Sequence, residues 1–374
     1  GVEFEFIGTS GEIIANTDSN YPLEKSKLNN EYLRDSPHLR NRTKVQQTIN
    51  LIRNTVIFEI HQFFNKLNFV YVQTPILTNV DYGDKTYKIK SILNCGNSLC
   101  ASNTFHLESF ITSNEKVYTL GPVFRGNKEH NERSLNEFWM ISSEMAFIDF
   151  DELLKSMELF VKYIFSKVLN KNKESLDFFK LINTLSSYSK INDSFLRKRY
   201  DECHKFIKKE IDCGNIMINK KSPTKRLENG ILILSKNPEF GKEFDIDVLN
   251  YLAEEFGNKP FFITNYPKLN KSFNIKEDKI EIYNSLNAKL IVPEFGDIMS
   301  GALKEEKVEK LKKSMFEKNI QEKYFNWYLE SQKYGTVSHG GFSAGLERLL
   351  MVLTGIKNIR EIVPYPNTDN NCFA

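Results

Sequence analysis

Residues 335–355 read GTVSHGGFSAGLERLLMVLTG, and their patterning changes partway along. A glycine-dense run of alternating polar and apolar residues passes into Leu346, Leu349, Leu350 and Leu353, which recur at helical spacing and stop at Gly355. The stretch predicts a strand running directly into a helix. Gly340, Gly341 and Gly345 would let a ligand come close to the backbone, and Arg348 falls in the helix's first turn, where an anion is favoured. The same residues also suit a tight packing turn with an arginine reaching solvent, so this stretch alone leaves two readings open.

A second stretch, residues 117–147, reads VYTLGPVFRGNKEHNERSLNEFWMISSEMAF and predicts two strands joined by a long charged loop. Arg125 shares a face with Val123, Gly121 and Thr119, while Phe138, Met140, Ser142 and Glu144 alternate against Trp139, Ile141, Ser143, Met145 and Phe147. One face thus carries Arg, Phe and Glu. An arginine for a phosphate, an aromatic ring for a base and a carboxylate for an amine or a metal suit a nucleotide and an amino acid together.

The segments VYTLGPVFRG, NEFWMISSEMAF and SHGGFSAGLERL resemble motifs 2 and 3 of the class II aminoacyl-tRNA synthetases, and FVYVQTPIL at 69–77 resembles the end of motif 1. EFWM, together with FFITNYPK at 261–268, is similar to the asparaginyl branch of that family. The resemblance runs from about residue 20 to residue 368. It implies an α+β catalytic domain, an antiparallel sheet flanked by helices, that activates asparagine with ATP and Mg2+ and transfers it to tRNA(Asn). By the same resemblance, Arg125 and Arg348 are catalytic and hold the α- and γ-phosphates. Phe138 stacks on adenine, Arg133 and Ser300 join the nucleotide site, and Asp297 holds the metal. Ser102, Thr104, Ser142, Glu144 and Lys304 belong to the amino-acid pocket. The attacking carboxylate is already ionised, so the chemistry calls for alignment and charge neutralisation rather than a general base.

The departures from the family pattern fall mostly in that pocket. Gly126 and Asn127 stand in place of the usual Ala-Glu after Arg125, and Asn103-Thr104 in place of Gly-Gln after Ser102. Ser142 and Lys289 replace acids, and Lys304 replaces an arginine. The expectation is a pocket that selects asparagine weakly and, if both lysines face inward, tilts toward aspartate. An aspartate-specific ligase, an amidating paralogue such as an asparagine synthetase, and a non-catalytic tRNA-binding relative stay open as alternatives.

Bulk properties agree with a soluble globular chain and set limits. Of 374 residues, 51 are basic and 48 acidic, so any nucleic-acid surface must be a local patch rather than a global charge. Five cysteines at irregular spacing argue for a reducing compartment, and Cys95 and Cys100 lack nearby histidines, so loop thiols are favoured over a zinc site. The chain opens Gly-Val, which suggests a fragment or processed form. The resemblance assigns residues 1–43 to the end of an anticodon-binding barrel, with a strand in EFEFIGTSGEII, and its hinge, and 44–374 to the catalytic domain. The His38, Leu39, Arg40, Arg42, Thr43 wording resembles the bacterial-type branch, and the abundance of Lys and Asn suits an AT-rich genome. A eukaryotic organelle fits both.

Ile49, Ile52, Val56, Ile60, Phe63 and Leu67 step by three and four, predicting a long amphipathic helix before the strand at 69–72. By the resemblance, residues 45–75 form a homodimer interface through that stripe. Asp149 or Asp151 caps a further helix with apolar residues at Leu153, Leu154, Met157, Val161, Ile164, Phe165 and Val168. Residues 170–230 read as a helical insertion, whose NKKSPTKR run at 219–226 is either a solvated loop or a tRNA phosphate contact.

Overall fold

The computed structural model describes residues 7–21, 23, 30–80, 87–88, 98–126, 131–190, 193–219, 224–227, 230–279, 281 and 283–367. The eight-stranded sheet at its centre is made of β1 (Val70–Tyr71), β2 (Lys116–Phe124), β3 (Glu137–Ala146), β4 (Leu196–Arg199), β5 (Phe261–Thr264), β6 (Asn287–Val292), β7 (Gly296–Leu303) and β8 (His339–Gly345). Their order across the sheet is β1-β2-β3-β8-β7-β6-β5-β4. From β2 to β5 every neighbour is antiparallel, as expected, but β1 lies parallel to β2 and β4 parallel to β5, so the sheet is mixed at its two edges.

The helices used below are α1 (Lys44–Lys66), α2 (Thr104–Glu108), α3 (Phe150–Lys171), α4 (Tyr200–Asp212), α5 (Ile246–Glu255), α6 (Val308–Glu317), α7 (Asn326–Lys333), α8 (Leu346–Thr354) and α9 (Ile359–Ile362). Asp149 caps α3 through a reciprocal pair with Glu152, which satisfies donors the helix start leaves open. The quoted 335–355 stretch folds as predicted, with β8 entering α8 and Gly355 ending the helix at φ 72°, a left-handed conformation glycine adopts without strain.

Strand alternation divides the interior. Phe262, Leu290 and Val292 point into the main core with α1, α3 and α8, while Phe261, Ile263 and Ile291 point into a second core with α4 and α5. The 170–230 stretch is shared between the two: Leu176, Leu185, Tyr188 and Phe195 pack into the main core, and Tyr200, Cys203, Ile207 and Ile216 into the second. It contains helices at Lys173–Phe178 and Ile182–Tyr188 and α4, but it also supplies edge strand β4 and the small strands Ile216–Ile218 and Lys225–Arg226. A purely helical reading misses these because short strands with few residues carry little period-2 signal. Within the NKKSPTKR run, residues 220–223 lie outside the described residues, and Arg226 is ion-paired with Glu254.

The apolar stripe of α1 is spent inside the chain. Ile49, Ile52, Val56, Ile60 and Phe63 are buried, with α1 packed on α3 and α8. Phe64 stacks on Tyr118 at 4.3 Å between ring centroids and lies 5.6 Å from Phe160 of α3. These stripe residues therefore cannot be the surface offered to a second copy. The outer side of α1 does carry large apolar residues: Leu51 is 57% and Phe58 63% exposed, beside half-exposed Val70 and Tyr71 of β1.

Before α1, Arg40 is buried and one guanidinium nitrogen donates to the carbonyls of Arg360, Glu361 and Val363 at 3.0, 3.0 and 2.8 Å. It satisfies the acceptors at the end of α9 and ties the hinge to the chain's last helix. Upstream, residues 3–6 of the expected barrel strand lie outside the described residues, and residues 7–21 form no strand. Ile7, Ile13 and Ile14 are exposed there, and among the described residues no strand pairs with this segment.

Because Ile52 is wholly buried against α3 and α8, Ile52→Ala is expected to lower stability by about 2–5 kcal/mol. Urea titration followed by circular dichroism measures this; an unchanged midpoint would mean the stripe is not core.

Candidate active site

The C-terminal end of β2, the start of β3, the facing stretch of β6 and β7, and the first turn of α8 surround a cavity of about 230 Å³. Its wall includes Arg125, Arg133, Phe138, Asp297, Ser300 and Arg348, the whole set expected for the nucleotide. A second, larger cavity of about 670 Å³ adjoins it and is lined in part by Ser102, Thr104, Lys271, Asn274 and Lys304. Arg125, Met140, Lys289, Ser300 and Ser343 line both, so the two spaces are continuous. Residues more than 200 positions apart meet here because β3, β8, β7 and β6 are consecutive in the sheet.

Asp297 organises the smaller cavity. Its carboxylate accepts from Arg133 at 3.0 Å and Arg348 at 2.9 Å, and Lys289 lies 3.5 Å away. Burial opposes ionisation, but Arg348, Lys289 and Arg133 outweigh it and hold the carboxyl well below the usual carboxylate range. Arg125 lies with its guanidinium carbon 5.0 Å from the Phe138 ring centroid. Burial, with Arg348 nearby, lowers its pKa to about 10, so it remains charged. The cavity is therefore cationic beside an aromatic face, which suits a nucleotide polyphosphate.

The metal reading of Asp297 needs narrowing. Among the described residues no cluster of three or more His, Cys, Asp or Glu side chains is placed to hold an ion. Asp297, already facing three cations, does not fit a metal site built from protein alone. Mg2+ fits only in the manner usual for it, bound chiefly through phosphate oxygens and one or two carboxylates.

Two acids that sequence reasoning missed hold the site together. Glu347, buried at the start of α8, accepts from the backbone N–H of Trp139 at 3.1 Å and from Arg53 of α1 at 3.4 Å. It thereby locks the residue next to Phe138 to the residue next to Arg348. Glu108 of α2 accepts from Asn274 at 2.7 Å and Tyr328 at 2.6 Å, and lies 3.1 Å from the Lys304 ammonium and 3.4 Å from His339. Its spacing from Thr104, one helical turn on, was the available signal.

The amino-acid set divides on inspection. Ser102 and Thr104 line the larger cavity, their hydroxyls 2.7 Å apart. Ser142 and Glu144 are fully buried and do not line it. Ser142 bonds Ser343 at 2.9 Å, and Glu144 lies 3.4 Å from Lys304. The expected tilt toward aspartate rested on both lysines facing inward, which they do, and on the positive charge they would add there. Instead Lys289 is 2.8 Å from Glu243 and near Asp297, and Lys304 sits between Glu108 and Glu144.

A sequence profile of the tRNA synthetases class II (D, K and N) matches residues 29–369. The probable mitochondrial asparagine–tRNA ligase of Dictyostelium discoideum is 33% identical over 96% of this chain and 77% of its own length. The asparagine–tRNA ligase of Borreliella burgdorferi is 31% identical over all of this chain and 82% of its own. This is a class II asparagine–tRNA ligase family member. Its fold also matches the asparaginyl-tRNA synthetase of Pyrococcus horikoshii complexed with asparaginyl-adenylate, at a TM-score of 0.84 and 28% identity, over 97% of this chain and 78% of that one.

Within this synthetase fold, Gly340 and Gly341 have a different reason from the one expected. A Cβ at Gly341 would lie 1.9 Å from the Ser143 carbonyl oxygen and 2.5 Å from the Glu144 carboxyl carbon. One at Gly340 would meet Leu303 at 2.6 Å. Both are required by neighbouring strands rather than by a ligand's approach. Asn127 and Cys95, singled out in the sequence, lie outside the described residues.

Burial opposes ionisation of Glu108, but Lys304, His339 and Tyr328 lower its pKa to about 2. A depressed carboxylate pKa contributes stability that is full above its ordinary value near 4.5 and is lost as pH falls toward 2. Glu108→Gln is expected to cost roughly 3–5 kcal/mol at neutral pH, because it leaves a buried ammonium short of its partner. Denaturant titrations of both proteins should show that difference narrowing in acid; a constant difference would deny the ion pair its role.

Proposed function

We propose that this chain is an asparagine–tRNA ligase that joins asparagine to tRNA(Asn) in two steps. The observation carrying the reading is the convergence of Arg125, Arg133, Phe138, Asp297, Ser300 and Arg348 on one cavity that opens into a second, larger one with room for an amino acid. In the first step the α-carboxylate of asparagine attacks the α-phosphorus of ATP, forming asparaginyl-adenylate and releasing pyrophosphate. Phe138 would stack on adenine, Arg125 would neutralise the α-phosphate, and Arg348 and Arg133 would meet the outer phosphates. Mg2+, carried in on the triphosphate, would supply further charge neutralisation beside Asp297 and Ser300. In the second step a hydroxyl of the terminal tRNA ribose attacks the adenylate carbonyl and AMP leaves. The ion-paired state of Lys289 and Lys304 favours asparagine over the aspartate alternative.

The same proposal includes a homodimer formed through the outer side of α1 and β1. Exposed Leu51, Phe58, Val70 and Tyr71 support it, since a two-fold axis lets one apolar patch cover its own copy. It also includes an organellar setting, supported by the mitochondrial Dictyostelium relative, although other relatives are bacterial. No helix among the described residues is long and apolar enough to cross a membrane.

Arg348→Ala is expected to lower asparagine-dependent ATP–pyrophosphate exchange by about 100-fold or more. Near-normal exchange in a folded variant would refute the phosphate role. Phe58→Asp is expected to convert a dimer to a folded monomer, read by sedimentation together with circular dichroism; a variant that still dimerises would move the interface elsewhere.

A further inference from the structure

Lys289 of β6 stands where the family pattern has an acid, and it lines both cavities. Its cross-strand neighbour on β7 is Ser300. Asp297 and Ser300 are three positions apart, so in a regular strand they would face opposite sides. The register shift between Leu290 and Ile291 puts both on the wall of the smaller cavity. Glu243, from the segment before α5, reaches the same place. Two carboxylates and a hydroxyl are hard oxygen donors of the kind that hold a divalent cation. Here the Lys289 ammonium stands between the carboxylates, 2.8 Å from Glu243 and 3.5 Å from Asp297.

The ammonium is held there from a third side. The buried ring of Tyr266 has its centroid 5.8 Å from the Lys289 nitrogen and 4.1 Å from that of Lys271, which shares Glu243. A divalent ion at the same point would have to displace Lys289. It would also meet Arg133 and Arg348, which hold the Asp297 carboxylate at 3.0 and 2.9 Å.

We propose that Lys289 is a built-in cation for ATP: its ammonium takes the place of a divalent ion held by Asp297 and Glu243 and contacts the phosphates directly. This rests on the ligase reading above and adds a phosphate-binding residue to it. An ammonium has three donors, so the two carboxylates leave one for a phosphate oxygen. Because the charge is tethered to β6, it need not be recruited from solution. Arg125, Arg133, Arg348, Lys271 and Lys289 together outnumber Asp297 and Glu243, so ATP meets a cationic cavity without a metal ion bridging it to the protein. Mg2+ arriving on the triphosphate finds no carboxylate free of a cation among these residues.

Two measurements on the intact chain test this. The first is calorimetry of ATP binding in EDTA and in Mg2+, where the wild-type dissociation constants should agree within about tenfold. Lys289→Met, which keeps the length and removes the charge, should weaken binding in EDTA by about tenfold or more. The second is Mn2+ electron paramagnetic resonance without nucleotide. Wild type should bind no Mn2+ that Asp297→Asn removes, whereas Lys289→Asp should gain one ion, lost again when Asp297→Asn is added. A merely structural lysine would give no such gain. Wild-type Mn2+ binding at Asp297 would overturn the proposal. So would a folded Lys289→Asp variant that gains no ion, unchanged ATP binding by folded Lys289→Met, or wild-type binding that EDTA weakens by more than about tenfold. Should the variants fail to fold, the wild-type calorimetry in the two buffers decides alone. ATP binding in neither buffer, with no asparagine-dependent exchange, would remove the ligase reading and this inference with it; exchange in Mg2+ beside ATP binding lost in EDTA would overturn this inference alone.

Discussion

The carboxylate of Asp297 is the point at which distant parts of the chain are tied to one another. Arg133 reaches it from the segment before β3, Lys289 from β6 and Arg348 from α8. A cluster of cations in a confined cavity would repel itself without such a partner, and a carboxylate in the same place would be costly without them. The arrangement holds arginines in position before any polyphosphate arrives. A phosphate entering there meets donors whose orientation is already set, which is what electrostatic preorganisation requires.

The two connected cavities differ in how they treat charge. At the smaller cavity Arg133 and Arg348 share Asp297, Lys289 lies between Glu243 and Asp297, and Arg125 lies over Phe138, so the balance favours an anion. At the other end Lys304 is matched from beneath by Glu108 and Glu144, so what remains is hydrogen-bonding capacity rather than net positive charge. Glu347 links the first of these regions to the scaffold. It joins α8 to the backbone of Trp139 and to Arg53 of α1, the helix whose outer side is exposed. Any surface covering that outer side would lie one helix away from the residues beside Phe138 and Arg348.

The strand-to-helix passage at 335–355, the paired strands at 117–147 and the six expected residues that line the smaller cavity were readable from residue order. The first two depend on local periodicity, and the third on motifs whose own residues lie close together along the chain, as Arg125, Arg133 and Phe138 do. The helical stripe of α1 was equally legible, but its partner was not. Periodicity reports which side of a helix is apolar; it says nothing of whether α3, α8 or a second copy covers it. Gly340 and Gly341 show the same limit. A glycine records that a side chain is unwelcome, while only the pairing of β8 with β3 and β7 shows that Ser143, Glu144 and Leu303 occupy the space.

Residue identities by themselves determined a class II catalytic fold and the cationic and aromatic residues that meet in one of its cavities. The electrostatic character of the amino-acid end was decided only by tertiary structure. Lys304 read alone is a positive charge in a pocket, and its replacement of an arginine suggested altered selectivity. Glu108, 196 positions earlier on α2, and Glu144 on β3 reverse that reading by lying within 3.1 and 3.4 Å of its ammonium. Charge pairing acts through space and falls off over a few ångströms, so it leaves no periodic trace along the chain until the sheet brings its members together.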